Sequence, residues 1–392
     1  MIVGVPKEIM PGERRVAVTP DTCRKLSAMG TKVLVQAGAG QGSFVRDEDY
    51  AAAGATLAPD AEQVYRQADL VLKVKEPQLC KATGRHEASM MKAGQFLVTF
   101  LHPASPSNHQ MIRQLAGQGV IALTLDSVPR ISRAQTMDAL TSMSTVAGYK
   151  AVLMAADRLP CFMPMVGTAV GMLPPAKVLV VGTGVAGLQA LATAKRLGAV
   201  TVAADVRPAA REQATSLGAK IHELGVPDQV AVGDGGYARA LPADWLAKER
   251  EALKPAVKEA DIIILSALIP GRRAPLLVTA DMVRSMKPGS AIVDIAIDQG
   301  GNCEATAAGE VVTRDQVCID GTKNIPGMVP TTSTYMFAQN VCNFVGLLVE
   351  GSKLRLNLDD EIVAACLVTH QGRVVHAGAL EAMEQTAAKV NA

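Results

Sequence analysis

Short apolar runs alternate with stretches of helical periodicity along most of this chain. The first series of runs lies at Ile2–Val5, Lys32–Gln36, Leu70–Val74, Gln95–Leu101 and Val120–Leu123, with helical patterns such as Pro20–Met29 and Asn108–Gly117 between them. Short β-branched runs separated by helices imply strands of a parallel sheet covered on both faces. A second series follows at Lys177–Val181, Val200–Ala204, Lys220–Glu223, Asp261–Ala267, Ala291–Ala296 and Val317–Asp320. Asp138 to Asp157 reads as a helix bridging the two series, and Ser333 to Glu350 as a helix leading back to the first. Lys353 to His376 alternates like strand around a Gln371-Gly372 turn. The cluster Gly38, Gly40, Gly42 imitates a nucleotide loop, but no apolar helix starts directly after it, so it reads as a turn.

The most informative segment joins the first two runs of the second series. Lys177-Val-Leu-Val-Val181 feeds into Gly182-Thr-Gly184-Val-Ala-Gly187, an Ala/Leu-rich helical stretch follows, and Val200 to Ala204 is capped by Asp205. Glycines between strand and helix, with an acid after the next strand, are the context that a dinucleotide fingerprint requires. In that reading Gly182 makes the tight turn, Gly184 lets backbone approach a pyrophosphate, and Gly187 lets helix pack on strand. The helix N-terminus at Val185 and Ala186 offers N–H groups to phosphates. Asp205 would accept from an adenosine-ribose diol and repel a 2′-phosphate, which ranks NAD(H) first. Arg207 is the one feature pointing toward NADP(H), and is read as flanking the adenine. The plainer alternative is an ordinary glycine-rich turn. The expected fold class is therefore α/β: two doubly wound Rossmann-like domains flanking a cleft, the first completed by the C-terminal segment. Residues 1–137 with 325–392 form the first domain and 138–324 the second; a chain of 392 residues supports two.

Bulk properties narrow the function classes. Half the residues are hydrophobic (49%) but only 3% are aromatic, the palette of Ala, Val, Leu and Met cores. A formal charge of +2 supplies no field to recruit nucleic acid or an anionic membrane. The seven cysteines are scattered without CxxC spacing and read as reduced thiols of a cytoplasmic protein, and no histidine pair suggests a metal. Met1-Ile-Val-Gly-Val-Pro-Lys7 lacks signal-peptide architecture. The uncharged run Leu159–Ala176 is interrupted by Pro160, Pro164, Pro174 and Pro175, so no membrane insertion is expected.

Strand-end loops carry the remaining candidates, because ligands of doubly wound sheets bind there. Pro129-Arg130-Ile-Ser-Arg-Ala-Gln135-Thr-Met-Asp138 is the most distinctive. Read plainly it is a helix start, with Ser132 or Thr136 as cap and Asp138 favouring the positive helix end. The chain also resembles, over nearly its whole length, the NAD(H)-binding first component of proton-translocating NAD(P) transhydrogenase, which is homologous to alanine dehydrogenase. The resemblance implies that Arg130 and Asp138 grip the nicotinamide carboxamide and nearby ribose, while Gln135 reaches toward NADP(H) on a partner subunit. It puts Val185 in the pyrophosphate loop and Asp205-Val206-Arg207 in the adenosine site. It makes Asp234-Gly-Gly236-Tyr237 a mobile loop over the nucleotide and lays Leu268 of Ala267-Leu-Ile-Pro-Gly271 against it. Asp359-Asp-Glu361 and Gly372-Arg-Val-Val-His376 match too, whereas Glu249 stands where relatives can carry an amide. A homodimer, peripheral to the inner membrane through separate membrane-embedded and NADP(H)-binding subunits, is what such a component implies.

Transfer of hydride between two nicotinamides exchanges no proton with the protein, so positioning alone can supply ~7–11 kcal/mol of barrier reduction. An orienting loop without a titrating group suits that task. Alanine dehydrogenase, the alternative within the same resemblance, needs a carboxylate clamp and an acid/base. Arg15 and Lys75 match the clamp, His102 the proton shuttle, and Asp298 an aspartate at the alanine end of the site. Both relatives share the motifs around Arg15 and Lys75, and a histidine at a strand end is often structural. A module that only senses NAD is the third class. The 130–138 loop and the C-terminal tail favour the transhydrogenase component.

Overall fold

The computed structural model describes residues 1–233, 236, 238–269 and 273–390, with side chains through residue 386. The chain divides into two compact units, Met1–Met143 with Gly327–Ala392, and Ser144–Pro326. These limits lie several residues beyond 137/138 and 324/325, because one continuous helix, Ala139–Arg158, carries the chain out of the first unit.

The first unit is built on an eight-stranded sheet in the order Arg373–Val374, Leu367–His370, Ile121–Thr124, Phe96–Thr99, Leu70–Leu72, Ile2–Val5, Lys32–Gln36, Thr56–Ala58. The six strands from the N-terminal part pair in parallel. Leu367–His370 lies antiparallel to Ile121–Thr124, so the C-terminal segment finishes the sheet. Local chemistry sets the helix starts. Thr19 closes a capping box with Thr22 ahead of Pro20–Ala28, and Pro20 needs no N–H at that position. Continuous strand formation over Lys353–His376 is not what forms. Asp360 caps Ile362 and starts a helix at Glu361–Cys366, leaving only the Leu367–His370 and Arg373–Val374 hairpin. Thr56–Ala58, too short to register as an apolar run, is the added edge strand.

The second unit has strand order Lys220–Ile221, Val200–Ala204, Lys177–Val181, Ile262–Leu265, Ala291–Asp294, Val317–Asp320, Val311–Arg314. All pairings are parallel except the last. Alternate residues of the central strands serve opposite faces, as a period of two demands. Val178, Val180, Ile262 and Ile264 join Ala190, Leu191 and Ala194 of the Val185–Arg196 helix. Leu179, Val181, Ile263 and Leu265 join Leu253 and Val257 of the Ala243–Glu259 helix. Each such Val, Leu or Ile is essentially inaccessible, and its burial contributes ~1.5–3 kcal/mol. The order reverses between Lys177–Val181 and Ile262–Leu265, and it is outside such a switch point that doubly wound sheets bind ligands. Among the described residues no helix is long and apolar enough to cross a membrane.

Candidate functional site

The Lys177–Val181 strand ends at this switch point and runs straight into the glycine loop. Each glycine meets a different constraint there. Gly182 has φ +84°, and a Cβ on it would lie 2.6 Å from the Ala267 backbone nitrogen. A Cβ on Gly187 would lie 2.0 Å from the Gly182 carbonyl oxygen, closing the gap between helix and strand. Gly184 is different: a Cβ there would meet nothing within 4 Å. The close-approach role assigned to Gly184 thus matches open space, while Gly182 and Gly187 answer to backbone. Gly184 is also the N-cap of Val185–Arg196, and no side chain caps that helix. The positive end of the dipole, at Val185, Ala186 and Gly187, is left for a ligand anion.

Asp205, at the end of the next strand, is buried to 6% exposure. Its Oδ2 accepts from the Thr183 N–H at 2.7 Å, from Thr183 Oγ1 at 3.2 Å and from the Arg207 guanidinium at 2.9 Å. Its Oδ1 accepts from the Arg207 N–H at 2.8 Å and Nε at 3.1 Å. Arg207 therefore folds back on Asp205 instead of standing clear of it as a flank for adenine. A carboxylate has about four lone-pair sites, so a ribose diol can reach Asp205 only by displacing this guanidinium. Val206 packs into the core. Thr183, within the glycine loop, is a contact that the fingerprint alone does not pick out; its position between two glycines ahead of Asp205 is the signal for it.

Leu268 follows a strand end held by Asn302, which donates Nδ2 to the Ala267 carbonyl and accepts from the Ala267 N–H, both at 2.9 Å. Leu268 itself is 39% exposed. Gly236 has φ +75°, whereas Asp234, Gly235 and Tyr237 lie outside the described residues, as do Pro270 and Gly271.

The Arg130–Asp138 segment belongs to the first unit and contains the 3-10 helix Ser132–Met137. Arg130 and Gln135 are exposed, whereas Ala134 and Met137 pin the turn into the core. Neither Ser132 nor Thr136 caps the following helix. Asp138 does so itself, accepting from the Thr141 N–H at 2.8 Å and from Thr141 Oγ1 at 2.6 Å, an arrangement contributing ~1 kcal/mol. The segment is braced from the C-terminal part of the chain. Arg133 makes a two-pronged ion pair with Asp360 at 2.7 and 3.0 Å. Asn340 and Asn343 both donate to the Thr136 carbonyl, at 2.8 and 3.1 Å. Partners 200 and more positions apart in sequence leave no local pattern to read.

Arg15, Lys75 and His102 also lie in the first unit, and Asp298 in the second. Arg15 is buried and bound by Glu13, with Nε to Oε1 at 2.8 Å and NH2 to Oε2 at 2.5 Å. His102 stacks on Phe100 and has φ +45°, an unusual backbone for a residue with a side chain. Its Nδ1 lies 2.8 Å from Asp126 Oδ1, and its own N–H donates to Asp126 Oδ2 at 2.8 Å. Desolvation pulls the imidazole pKa down, but the charge and hydrogen bond of Asp126 outweigh it and hold it above its ordinary value, against Lys75 nearby. Desolvation likewise raises the Asp126 carboxyl, and the charge and hydrogen bond of His102 overcome it, setting it at about 2. The structure thus brings His102 and Lys75 together and adds Asp126. Asp298 is exposed in a 3-10 helix, Ile295–Gln299, and receives the Asn324 N–H at 3.4 Å.

Two family profiles match in tandem: Alanine dehydrogenase/PNT, N-terminal domain, over residues 4–147, and Alanine dehydrogenase/PNT, C-terminal domain, over residues 151–377. The chain belongs to the alanine dehydrogenase/PNT family. The first of the separately encoded pieces of NAD(P) transhydrogenase subunit alpha in Rhodospirillum rubrum is 42% identical over 381 residues, spanning 96% of this chain and 98% of that one. The alanine dehydrogenase of Halomonas elongata is 35% identical over 390 residues, spanning 97% and 96%. A solved structure of transhydrogenase from Sinorhizobium meliloti superimposes with a TM-score of 0.81 at 39% identity, covering 96% of this chain and 99% of that one. Both branches of the family thus share the whole fold, and identity ranks the transhydrogenase branch above the dehydrogenase branch.

Proposed function

We propose that this protein is the NAD(H)-binding component of an NAD(P) transhydrogenase, passing hydride between NADH and NADP+ held on a partner subunit. The observation that carries the reading is the glycine loop. One glycine faces open space at an uncapped helix N-terminus, two are locked against backbone, and an acid closes the next strand. The 42% identity to a transhydrogenase alpha subunit over almost the full length supports the same branch. Bound NADH supplies the hydride. The rest of the chemistry is positioning: the N–H groups of Val185, Ala186 and Gly187 receive the pyrophosphate, and Asp205 receives the ribose once Arg207 swings off it. Arg130 and Asp138 orient the nicotinamide end, and exposed Gln135 faces the partner's nucleotide. None of these residues needs to donate or take up a proton, so proton translocation falls to membrane-embedded partner subunits, and the chain works peripherally on the cytoplasmic side.

The homodimer fits the second unit's surface. The Val166–Thr168 and Gly171–Leu173 hairpin exposes Val170 (93%) and Met172 (68%), next to exposed Phe162 and Met165. A cavity of about 690 Å³ beside it is lined by Leu159, Phe162, Leu173 and Pro174, among others. Clustered apolar surface of this kind is characteristic of contact faces.

A second reading, alanine dehydrogenase, is favoured by the His102–Asp126 pair with Lys75 close by, an oriented base beside a cation. One assay separates the two. The purified protein is given L-alanine and NAD+, then NADH and NADP+ together with the membrane and NADP(H)-binding subunits. Silence in the first arm and hydride transfer in the second is expected, and Gln135→Asn should slow transfer while leaving NADH affinity within a few-fold. Robust alanine turnover would overturn the transhydrogenase reading.

A further inference from the structure

Glu249 is a buried acid that neither the positioning chemistry nor the core employs. It lies on the Ala243–Glu259 helix, whose buried residues Glu249, Leu253 and Val257 recur every four positions and so share one face. Leu253 and Val257 fill the core beneath Leu179, Val181 and Ala204. Glu249 continues this stripe one turn toward the helix N-terminus. The helix leads into the parallel strand Ile262–Leu265, so it runs back across the sheet and its N-terminal turns lie at the carboxyl ends of the strands. That is the edge carrying the glycine loop and Asp205.

At 6% exposure Glu249 is as buried as Asp205, yet no described residue donates a hydrogen bond to it or pairs with it. An isolated buried carboxylate is costly, whereas a neutral acid is tolerated. The neighbouring charges point the same way. Asp205 is near enough to repel a second negative charge, and its own charge is already matched by Arg207. Arg250, next along the helix, favours ionisation but is directed away, its Nε donating to the Leu276 carbonyl at 2.7 Å. His222, which packs on the same helix, commits its Nε2 to the Ala252 carbonyl at 2.7 Å. Desolvation first, then Asp205, raises the Glu249 carboxyl to about 7 against the pull of Arg250.

We propose that Glu249 makes nucleotide binding proton-linked: the neutral acid admits the adenosine end of NAD(H), and the ionised acid expels it. Resting on the NAD(H) reading above, this names a specific control of the same site. Two effects of the ligand disfavour the ionised form. The adenosine would cover the little solvent left to Glu249, and the pyrophosphate would bring further negative charge to the same edge. The neutral acid resembles an amide in shape and can donate one hydrogen bond, which its ionised form cannot.

Calorimetric titration of the whole protein with NADH from pH 6 to 8.5 tests this, and needs no turnover. If only the neutral acid binds, a carboxyl at about 7 weakens apparent affinity about 30-fold between neutral-acid conditions and pH 8.5. Runs in phosphate and in Tris, whose ionisation heats differ, should show proton uptake approaching one per nucleotide at the alkaline end. Glu249→Gln should flatten the pH profile, abolish the uptake and bind more tightly than wild type at pH 8.5. A flat wild-type profile with NADH bound would overturn the proposal and leave the cofactor reading standing. A pH slope that persists in Glu249→Gln would do the same by assigning the proton elsewhere. Failure of NADH to bind either form at any pH would overturn both.

Discussion

Replacing Gly184 and Gly187 by alanine, one at a time, separates binding from folding within four residues of chain. At Gly187 the new methyl would sit 2.0 Å from the Gly182 carbonyl and 3.1 Å from Ser266 Oγ, so helix and strand must part. Backbone cannot step aside as a side-chain tip can, and overpacking of this kind costs ~1–3 kcal/mol. For a unit of this size that corresponds to a fall in melting temperature of roughly 2–12 °C. At Gly184 the methyl meets no protein atom, and φ −72°, ψ −165° is open to alanine. Stability should hold or rise by ~0.4–1 kcal/mol, because the unfolded chain loses freedom. The same methyl, however, occupies the space where a pyrophosphate must approach the backbone, and NADH affinity should fall about tenfold or more, ~1.4 kcal/mol. Differential scanning calorimetry and NADH titration on the two variants are sufficient. A Gly184→Ala protein that binds NADH like wild type would refute the assignment of this loop to the nucleotide. Equal thermal loss in both variants would refute the packing argument.

Two further expectations concern the first unit. The His102 imidazole is held above 6.5 by Asp126, so an NMR titration of its ring should give a raised midpoint, and Asp126→Asn should bring it to or below the ordinary value, because desolvation then acts unopposed. The stability from this pair is complete between the ordinary carboxyl and imidazole ranges. It fades as pH rises through the raised His102 midpoint, and again as pH falls toward the Asp126 value of about 2. Arg133→Ala removes both prongs on Asp360, and amide hydrogen exchange across 132–138 should quicken several-fold with little change in melting temperature, since Arg133 is 48% exposed. Unchanged exchange would mean that Asn340 and Asn343 alone hold the segment.

Much of the second unit could be read in the sequence because its signals are local. Strand, glycine turn, helix and acid follow one another between Lys177 and Asp205, and each residue type has a nearby steric or electrostatic reason. The helix over Ala139–Arg158 is equally legible from its composition. What escapes a reading of the sequence is set by distant partners or by side chains turned back on neighbours. Arg207 reads as a free cation in sequence, but the Asp205 carboxylate two positions away captures it. Lys353–His376 alternates like a strand, but Asp360 turns its middle into helix because a side-chain cap outweighs a weak period-two pattern. Asp126 gains its importance only through a histidine brought to it from the neighbouring parallel strand. The 130–138 segment shows its unusual composition in sequence, yet its rigidity comes from Asn340, Asn343 and Asp360.

The antiparallel strand Leu367–His370 has a consequence for how the protein is made. Its hydrogen bonds to Ile121–Thr124 form only after the intervening unit has been synthesised, so for most of translation the first sheet has an open margin while the insert can already fold. A nascent chain halted before residue 367 would present that unpaired margin to other chains, which makes the final two dozen residues the seal on the oldest part of the molecule.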